Sequence, residues 1–168
     1  MHAGDPLSAV IVVDDAMCDG LLVRARASGR RRAHHNLHTR FDENPQRVLM
    51  AALRDSYYTP HRHTQPPKTE TFVLLEGRID VYLFDDDGTI RRRVSLGDRC
   101  AAIDLPPGVW HALDIVSDHA LCLEAKPGPF DPKGDKEFAP WAPAEGSEAC
   151  ARYQTLLRAF GGLKGELS

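Results

Sequence analysis

The stretch "YYTPHRHTQPPKTETFVLLEG" at residues 57–77 decides how the rest of the chain is interpreted. In an extended segment, residues two apart point to the same side, so His61 and His63 project together and Arg62 projects opposite them. Glu70 follows a Pro-Pro turn and opens the next strand, which ends at Gly77. The pattern predicts two imidazoles and a carboxylate at the start of a β-strand region.

A third histidine lies in "PPGVWHA" at residues 106–112, where His111 follows a Pro-Gly turn. Three imidazoles and one carboxylate that converge from two hairpins are the ligand set of a borderline transition metal. The spacing of two histidines alone leaves an alternative open, because such pairs are often exposed residues of a strand surface.

The region 57–126 is predicted to form an antiparallel sandwich or barrel. Its short β-branched and aromatic runs are broken by turn residues, with no helices between them. In "DDGT" (86–89), Asp-Gly supplies the positive φ angles of a tight hairpin turn. We therefore expect an all-β core.

The flanking regions are expected to belong to the same single domain, 1–168. An N-terminal extension (1–56) holds a short strand, "VIVV", and a helix near 14–27. The segment "NPQRVLMAALRD" carries a helical apolar pattern, although a strand through 47–53 is an alternative. The C-terminal part, 127–168, is Pro-rich and ends in a helix near 147–160.

Composition excludes several classes of function. The net charge of -3 and the pI near 6.2 argue against binding to nucleic acid, which requires a basic surface. The apolar run "SAVIVV" is too short to span a membrane and has no basic residues before it. The four cysteines form no C-x-x-C pair and read as reduced thiols. We expect a cytoplasmic protein without a membrane partner.

Two motifs resemble the signatures of the cupin superfamily. The first has two histidines one residue apart, then a glutamate and, after six residues, a glycine; here these are His61, His63, Glu70 and Gly77. The second, Pro-x-Gly-x-x-His, is matched by "PPGVWH". The loop between His63 and Glu70 is longer than the family usually has, and Ile115 stands where asparagine often ends the second motif. The resemblance implies a jelly roll (a double-stranded β-helix) with flanking N- and C-terminal helices.

A narrower resemblance covers roughly residues 20–160. "SGRRRAHHNLH", "YYTPHRH" and "EAKPGPFDPKGDKEFAPWAPAE" are similar to segments of WbuC-type cupin metalloproteins, small bacterial proteins associated with surface-polysaccharide gene clusters. This resemblance implies one divalent transition metal (Fe, Zn, Mn, Ni or Co) held by His61, His63, Glu70 and His111. Because cupin barrels commonly pair, it also implies a homodimer.

Basic and polar residues outside the metal motifs are candidates for substrate binding. Arg30, Arg32, Asn36 and His38 are predicted to line the barrel mouth and to bind an anionic group, since arginine offers a forked set of donors. A solvated basic loop is the alternative. Lys126 either faces the same pocket or forms an ion pair with Glu124; the sequence leaves both open.

Three functions follow from this pattern. The first is an enzyme of surface-polysaccharide biosynthesis that acts on a small sugar or sugar acid in an isomerase- or epimerase-like reaction. In it the metal is a Lewis acid, and Tyr57, Tyr58 or Glu76 moves protons. The second is an Fe(II)-dependent oxygenase. The third is a non-catalytic module that binds a metal or a sugar-like ligand.

Overall fold

The computed structural model describes residues 6–131 and 134–160. A 3₁₀ turn, Pro6–Ala9, precedes helix α1, Asp15–Ala27, and helix α2, Cys150–Ala159, ends the described chain. Ten strands lie between the two helices: β1 Arg32–Asn36, β2 Gln46–Leu53, β3 His61–Arg62, β4 Glu70–Glu76, β5 Ile79–Phe84, β6 Ile90–Leu96, β7 Ala102–Leu105, β8 Trp110–Ile115, β9 His119–Lys126 and β10 Glu137–Phe138.

The strands form two antiparallel sheets of five strands each. The first has the order β1-β2-β9-β4-β7 and the second the order β10-β3-β8-β5-β6. Alternate residues of both sheets face each other and build one apolar core, which includes Met50, Phe72, Val81, Leu113 and Cys122. The predicted all-β jelly roll is confirmed.

Strand β2 decides between the two interpretations of residues 44–55, since it is a strand and not a helix. It lies between β1 and β9 and pairs with β9 along its whole length. Met50 faces the core between the sheets, whereas Leu49 packs under α1. A strand buried on both faces reads as a continuous apolar run, so the helical spacing in this segment is coincidental.

The sheet extends beyond the boundaries expected from the sequence. Strands β1 and β2 belong to the first sheet although they precede residue 57, and β10 belongs to the second although it follows residue 126. The predicted strand at "VIVV" was wrong: residues 10–13 form no described strand and all four are exposed. No described strand is paired with them, and an isolated segment gains nothing from β-propensity alone.

The two helices cover different parts of the barrel. Helix α1 begins after Asp14, whose carboxylate accepts a hydrogen bond from the Met17 amide at 2.9 Å, and it buries Leu21, Leu22 and Ala25. In α2, Leu157 packs into an aromatic cluster with Trp110 and Phe84. Both helices were predicted; residues 161–168 of the expected C-terminal segment lie outside the described residues. Within the described ranges, no helix has the length and apolar character needed to cross a bilayer.

Two glycines occupy positions that the motifs require. Gly88 ends the turn between β5 and β6 with a φ of 87°, and a Cβ there would lie 2.7 Å from the Trp141 ring. Gly77, the glycine of the first motif, has a φ of 84° and lies against the carbonyl of His119. Both positions combine a left-handed backbone with a close neighbour, so neither accommodates a side chain.

Candidate metal centre and cavity

The three predicted histidines meet in the second sheet. His61 of β3 is the direct cross-strand partner of His111 of β8, and their ring centroids are 4.4 Å apart. His63 lies two residues beyond His61, with its ring centroid 5.4 Å from that of His61. Same-side alternation along β3 and the pairing of β3 with β8 therefore place the imidazoles together.

Glu70 completes the cluster from the first sheet. Its Oε2 lies 3.2 Å from His63 Nε2 and 2.9 Å from His111 Nε2. The candidate ligand atoms of the four residues lie within 4.8 Å of one another, and all four side chains are buried. The longer loop after His63 thus does not keep Glu70 from the histidines.

Each histidine has its Nδ1 turned to a backbone carbonyl. His61 Nδ1 lies 3.1 Å from Thr59 O, His111 Nδ1 lies 3.0 Å from Val109 O, and His63 Nδ1 contacts Asp135 O. A carbonyl only accepts, so in the neutral form of each ring Nδ1 carries the hydrogen and Nε2 presents the lone pair that a metal requires. Backbone contacts of this kind orient imidazoles that bind metals.

Buried atoms without partners test whether a metal fits here. Among the described residues, His61 Nε2, His111 Nε2 and Glu70 Oε1 are buried and form no hydrogen bond. His111 Nε2 is 2.9 Å from Glu70 Oε2, but this contact places a lone pair against a carboxylate and lacks hydrogen-bond geometry. A divalent cation between these acceptors would satisfy all of them, so the cluster can hold a metal.

The ionisation of the cluster agrees with its geometry. Burial lowers the pKa of His61 well below its usual value, which keeps the ring neutral. Burial alone would raise the pKa of Glu70, but the hydrogen bonds that His111 and His63 donate from Nε2 when their rings carry a proton there outweigh it and hold this pKa well below its usual value. A metal bound at these nitrogens would take the place of those protons. A neutral imidazole and an ionised carboxylate are the forms that bind a metal.

A cavity of about 320 Å³ lies beside the cluster. His61 lines it, whereas His63, Glu70 and His111 are buried and are not among the described lining residues. All five predicted substrate residues line the same cavity: Arg30, Arg32, Asn36, His38 and Lys126. The structure thus brings the predicted metal ligands and the predicted substrate residues to one place.

The two arginines are already paired within the protein. Arg30 donates two hydrogen bonds to the Glu145 carboxylate, at 2.9 and 2.7 Å, and Arg32 Nη1 lies 2.7 Å from Glu145 Oε1. Arg32 also donates to Tyr57 O at 2.8 Å, and its guanidinium lies 4.4 Å from the centre of the Tyr58 ring. Both guanidinium groups therefore hold the wall of the cavity together.

Lys126 belongs to a buried network of charges. Its ammonium lies 3.1 Å from Glu124 and 2.7 Å from Asp135, and Lys68 lies 2.6 Å from the other oxygen of Asp135. Burial, and then the charge of Glu70, raise the pKa of Glu124. Lys126 therefore does both things that the sequence left open: it forms an ion pair with Glu124 and it lines the cavity.

The predicted proton-moving residues are only partly placed at the cavity. Tyr58 lines it, with its hydroxyl 2.9 Å from Met50 Sδ. Tyr57 and Glu76 are not among the described lining residues. The Tyr57 hydroxyl donates to Pro143 O at 2.7 Å, and Glu76 lies at the exposed end of β4, 2.8 Å from His119 Nε2. Both side chains thus form contacts outside the described lining of the cavity, and their catalytic role stays a prediction.

Four further titratable residues of the described lining were not predicted as site residues: His34, Glu124, Lys136 and Glu145. His34 lies between Arg32 and Asn36 in the alternation of β1, and Glu124 precedes Lys126 by two in β9, so strand periodicity could have found both. The pKa of His34 is lowered to about 4 by its enclosure in the protein and by Arg32. No sequence signal marks Lys136 or Glu145, which come from the Pro-rich segment.

Comparisons with solved structures define the class of fold. The capsular polysaccharide assembling protein CapF from Staphylococcus aureus is 17% identical over 66% of this chain and 32% of its own, with a TM-score of 0.53. KdgF from Halomonas sp. is 20% identical over 61% of this chain and 82% of its own, with a TM-score of 0.45. A structure of DMSP lyases is 16% identical, covering 64% of this chain and 52% of the lyase, with a TM-score of 0.49. The chain thus spans about half of the lyase and a third of CapF.

The two facing five-stranded sheets, together with the likeness to CapF, identify the fold as a cupin jelly roll. Residues 13–96 match the family model described as a domain of unknown function, DUF6016, and the chain belongs to that family. The comparison with curated proteins gives no match.

Proposed function

We propose that this protein is a metal-dependent cupin enzyme that acts on a small sugar or sugar acid in surface-polysaccharide biosynthesis. The observation that carries the proposal is the buried cluster of three imidazole Nε2 atoms and the Glu70 carboxylate beside a cavity rich in cations. The likeness to CapF, a capsular polysaccharide assembling protein, supports the substrate class. The likeness to WbuC-type proteins and the homodimer stay predictions.

A divalent metal bound by His61, His63, Glu70 and His111 would supply Lewis-acid polarisation of a hydroxyl or carbonyl group. His61 both belongs to this set and faces the cavity, so a ligand reaches the centre from its side. The ligand-orienting contacts with Thr59, Val109 and Asp135 keep the imidazoles fixed before any ligand arrives.

Glu124 is the carboxyl group that is best placed to exchange a proton with a ligand. Glu124 and Glu145 are the carboxylates in the described lining, and Glu145 is held by both arginines. Glu124 lies 3.1 Å from Lys126, which can stabilise its ionised form after it gives up a proton. This assignment replaces Glu76, and Tyr58 remains the second candidate at the cavity.

An isomerase- or epimerase-like reaction moves a proton between carbon and solvent, which gives the proposal a direct test. Metal-loaded protein is incubated in D₂O with a panel of uronates and nucleotide sugars, and deuterium in the sugar carbons is followed by NMR. We expect incorporation with the wild type and none with His111→Ala. Full metal content without exchange or conversion of any compound in the panel would contradict the enzyme and favour a non-catalytic module.

A further inference from the structure

The cations around the cavity differ in whether the protein already neutralises them. Arg30 and Arg32 share the carboxylate of Glu145, and Lys126 lies between Asp135 and Glu124. Lys136 is the exception, because it forms no hydrogen bond or ion pair with any residue of the described ranges. Its charge is therefore the one still available to a ligand.

Strand β10 turns Lys136 towards the cavity. Phe138 is the cross-strand partner of His61, and Glu137 that of Arg62, with which it forms an ion pair on the outer surface at 2.7 Å. Because side chains alternate along an extended chain, Lys136 lies on the same side as Phe138 and His61. It lines the cavity and also a surface groove with Arg62 and Thr64, so it lies at the mouth, where a ligand enters.

The residue before Lys136 fixes its position. Asp135 is buried, bridges Lys68 and Lys126 at 2.6 and 2.7 Å, and presents its backbone carbonyl to His63. The backbone from which Lys136 projects is thus anchored to the metal cluster itself. An anchored lysine loses less freedom when it binds a ligand, which favours recognition.

The charge of Lys136 reaches the interior of the cavity. Lys136 contributes, after burial and Arg32, to the lowered pKa of His34 on the opposite sheet. A positive charge that acts on the far wall of the cavity favours an anionic ligand.

We propose that Lys136 binds the acid group of the ligand, and that this ligand is a small hydroxylated monocarboxylate. One ammonium provides a single compact charge, which matches one carboxylate, whereas the forked donors suited to a phosphate are occupied by Glu145. This inference rests on the proposed function for the part of the ligand that faces the metal cluster. It replaces Arg30 and Arg32 as the predicted anion-binding residues.

The test compares D-glucuronate with D-glucose, which share a ring and differ in the carboxylate, by titration calorimetry on metal-loaded and metal-free protein. We expect the wild type to bind glucuronate about 10-fold or more tightly than glucose, because a charge-assisted hydrogen bond is lost with the neutral sugar. Lys136→Met should remove this preference and leave glucose binding unchanged. Lys136→Arg should restore part of it.

Arg92→Met is the matched control, since Arg92 is an exposed residue of β6 outside the cavity and its loss removes the same charge. It should keep the preference, and all variants should keep the metal content and melting temperature of the wild type. Wild type without a preference, or Lys136→Met with an undiminished one, would overturn the inference. Wild type without metal would contradict the proposed function instead, and the metal-free titrations then still report on Lys136.

Discussion

At the scale of single residues, the orientation of the imidazoles is explained by the backbone carbonyl that each Nδ1 contacts. The Nδ1 of His61 and of His111 each faces the carbonyl two residues earlier in its own chain segment, Thr59 O and Val109 O. This local contact leaves each Nε2 available to the cluster that Glu70 completes. The sequence predicts the four residues because strand parity and the turn before His111 are local, but it does not predict the Asp135 carbonyl that orients His63.

Glu145 is the residue on which the arginines of the cavity wall depend. We expect Glu145→Gln to lower the free energy of unfolding by about 1–3 kcal/mol at pH 7, because the charge-assisted hydrogen bonds from Arg30 and Arg32 are weakened. Urea denaturation of both proteins measures this difference. Asp42→Asn, which removes an exposed ion pair with Arg40, should change stability by less than about 0.5 kcal/mol.

The stabilisation that Glu145 provides should decrease as the pH is lowered. Partial burial would raise the pKa of Glu145, but the hydrogen bonds from Arg30 and Arg32 outweigh it and lower the pKa below its usual value of 4.5. A carboxyl group whose pKa is lower in the folded than in the unfolded state stabilises the folded protein at pH values above its unfolded-state pKa. The difference between wild type and Glu145→Gln should therefore be complete above about pH 5 and should shrink as the pH falls below 4.5. A difference that grows on acidification would contradict the pairing.

At the scale of elements, β10 and the segment before it close the barrel beside the metal cluster. We expect Asp135→Asn to destabilise the protein by about 3–5 kcal/mol, because Lys68 and Lys126 would remain buried without their shared carboxylate. The two ion pairs hold the segment whose Asp135 carbonyl orients His63, so their loss should also lower metal affinity by about 10- to 100-fold. Denaturation and metal titration measure the two effects.

The matched control for Asp135 is again Asp42→Asn, an aspartate that is exposed and remote from the network. It should leave both the free energy of unfolding and metal affinity unchanged. An Asp135→Asn protein with the stability of the wild type would show that the two lysines do not need this carboxylate.

A helix or strand is predictable from the sequence where the apolar pattern of the segment matches its burial in the fold. The strands from Glu70 to Lys126 follow the short apolar runs between turn residues, and the capped helix α1 follows its apolar spacing. Strand β2 was ambiguous because burial on both faces erases alternation, and residues 10–13 lack a described neighbouring strand. Propensity alone could not decide either segment.

At the scale of the whole molecule, the cavity joins parts of the chain that are far apart in sequence. Arg30 meets Glu145 across 115 residues, and Lys68 meets Asp135 across 67. The sequence indicated which residues gather at the cavity mouth, but not which of their charges are neutralised within the protein. That pairing depends on how the C-terminal segment crosses the barrel, for which no local pattern exists.

The central claim is that His61, His63, Glu70 and His111 hold one divalent metal, and metal analysis of the purified protein and its variants tests it most directly. We expect one metal per chain in the wild type, and affinity lowered by more than about 100-fold in His61→Ala and His111→Ala, since even an outer-shell change costs 10- to 100-fold. His119→Ala, a histidine paired with Glu76 away from the cluster, should keep its full metal content. Full metal content in both His61→Ala and His111→Ala would contradict the account.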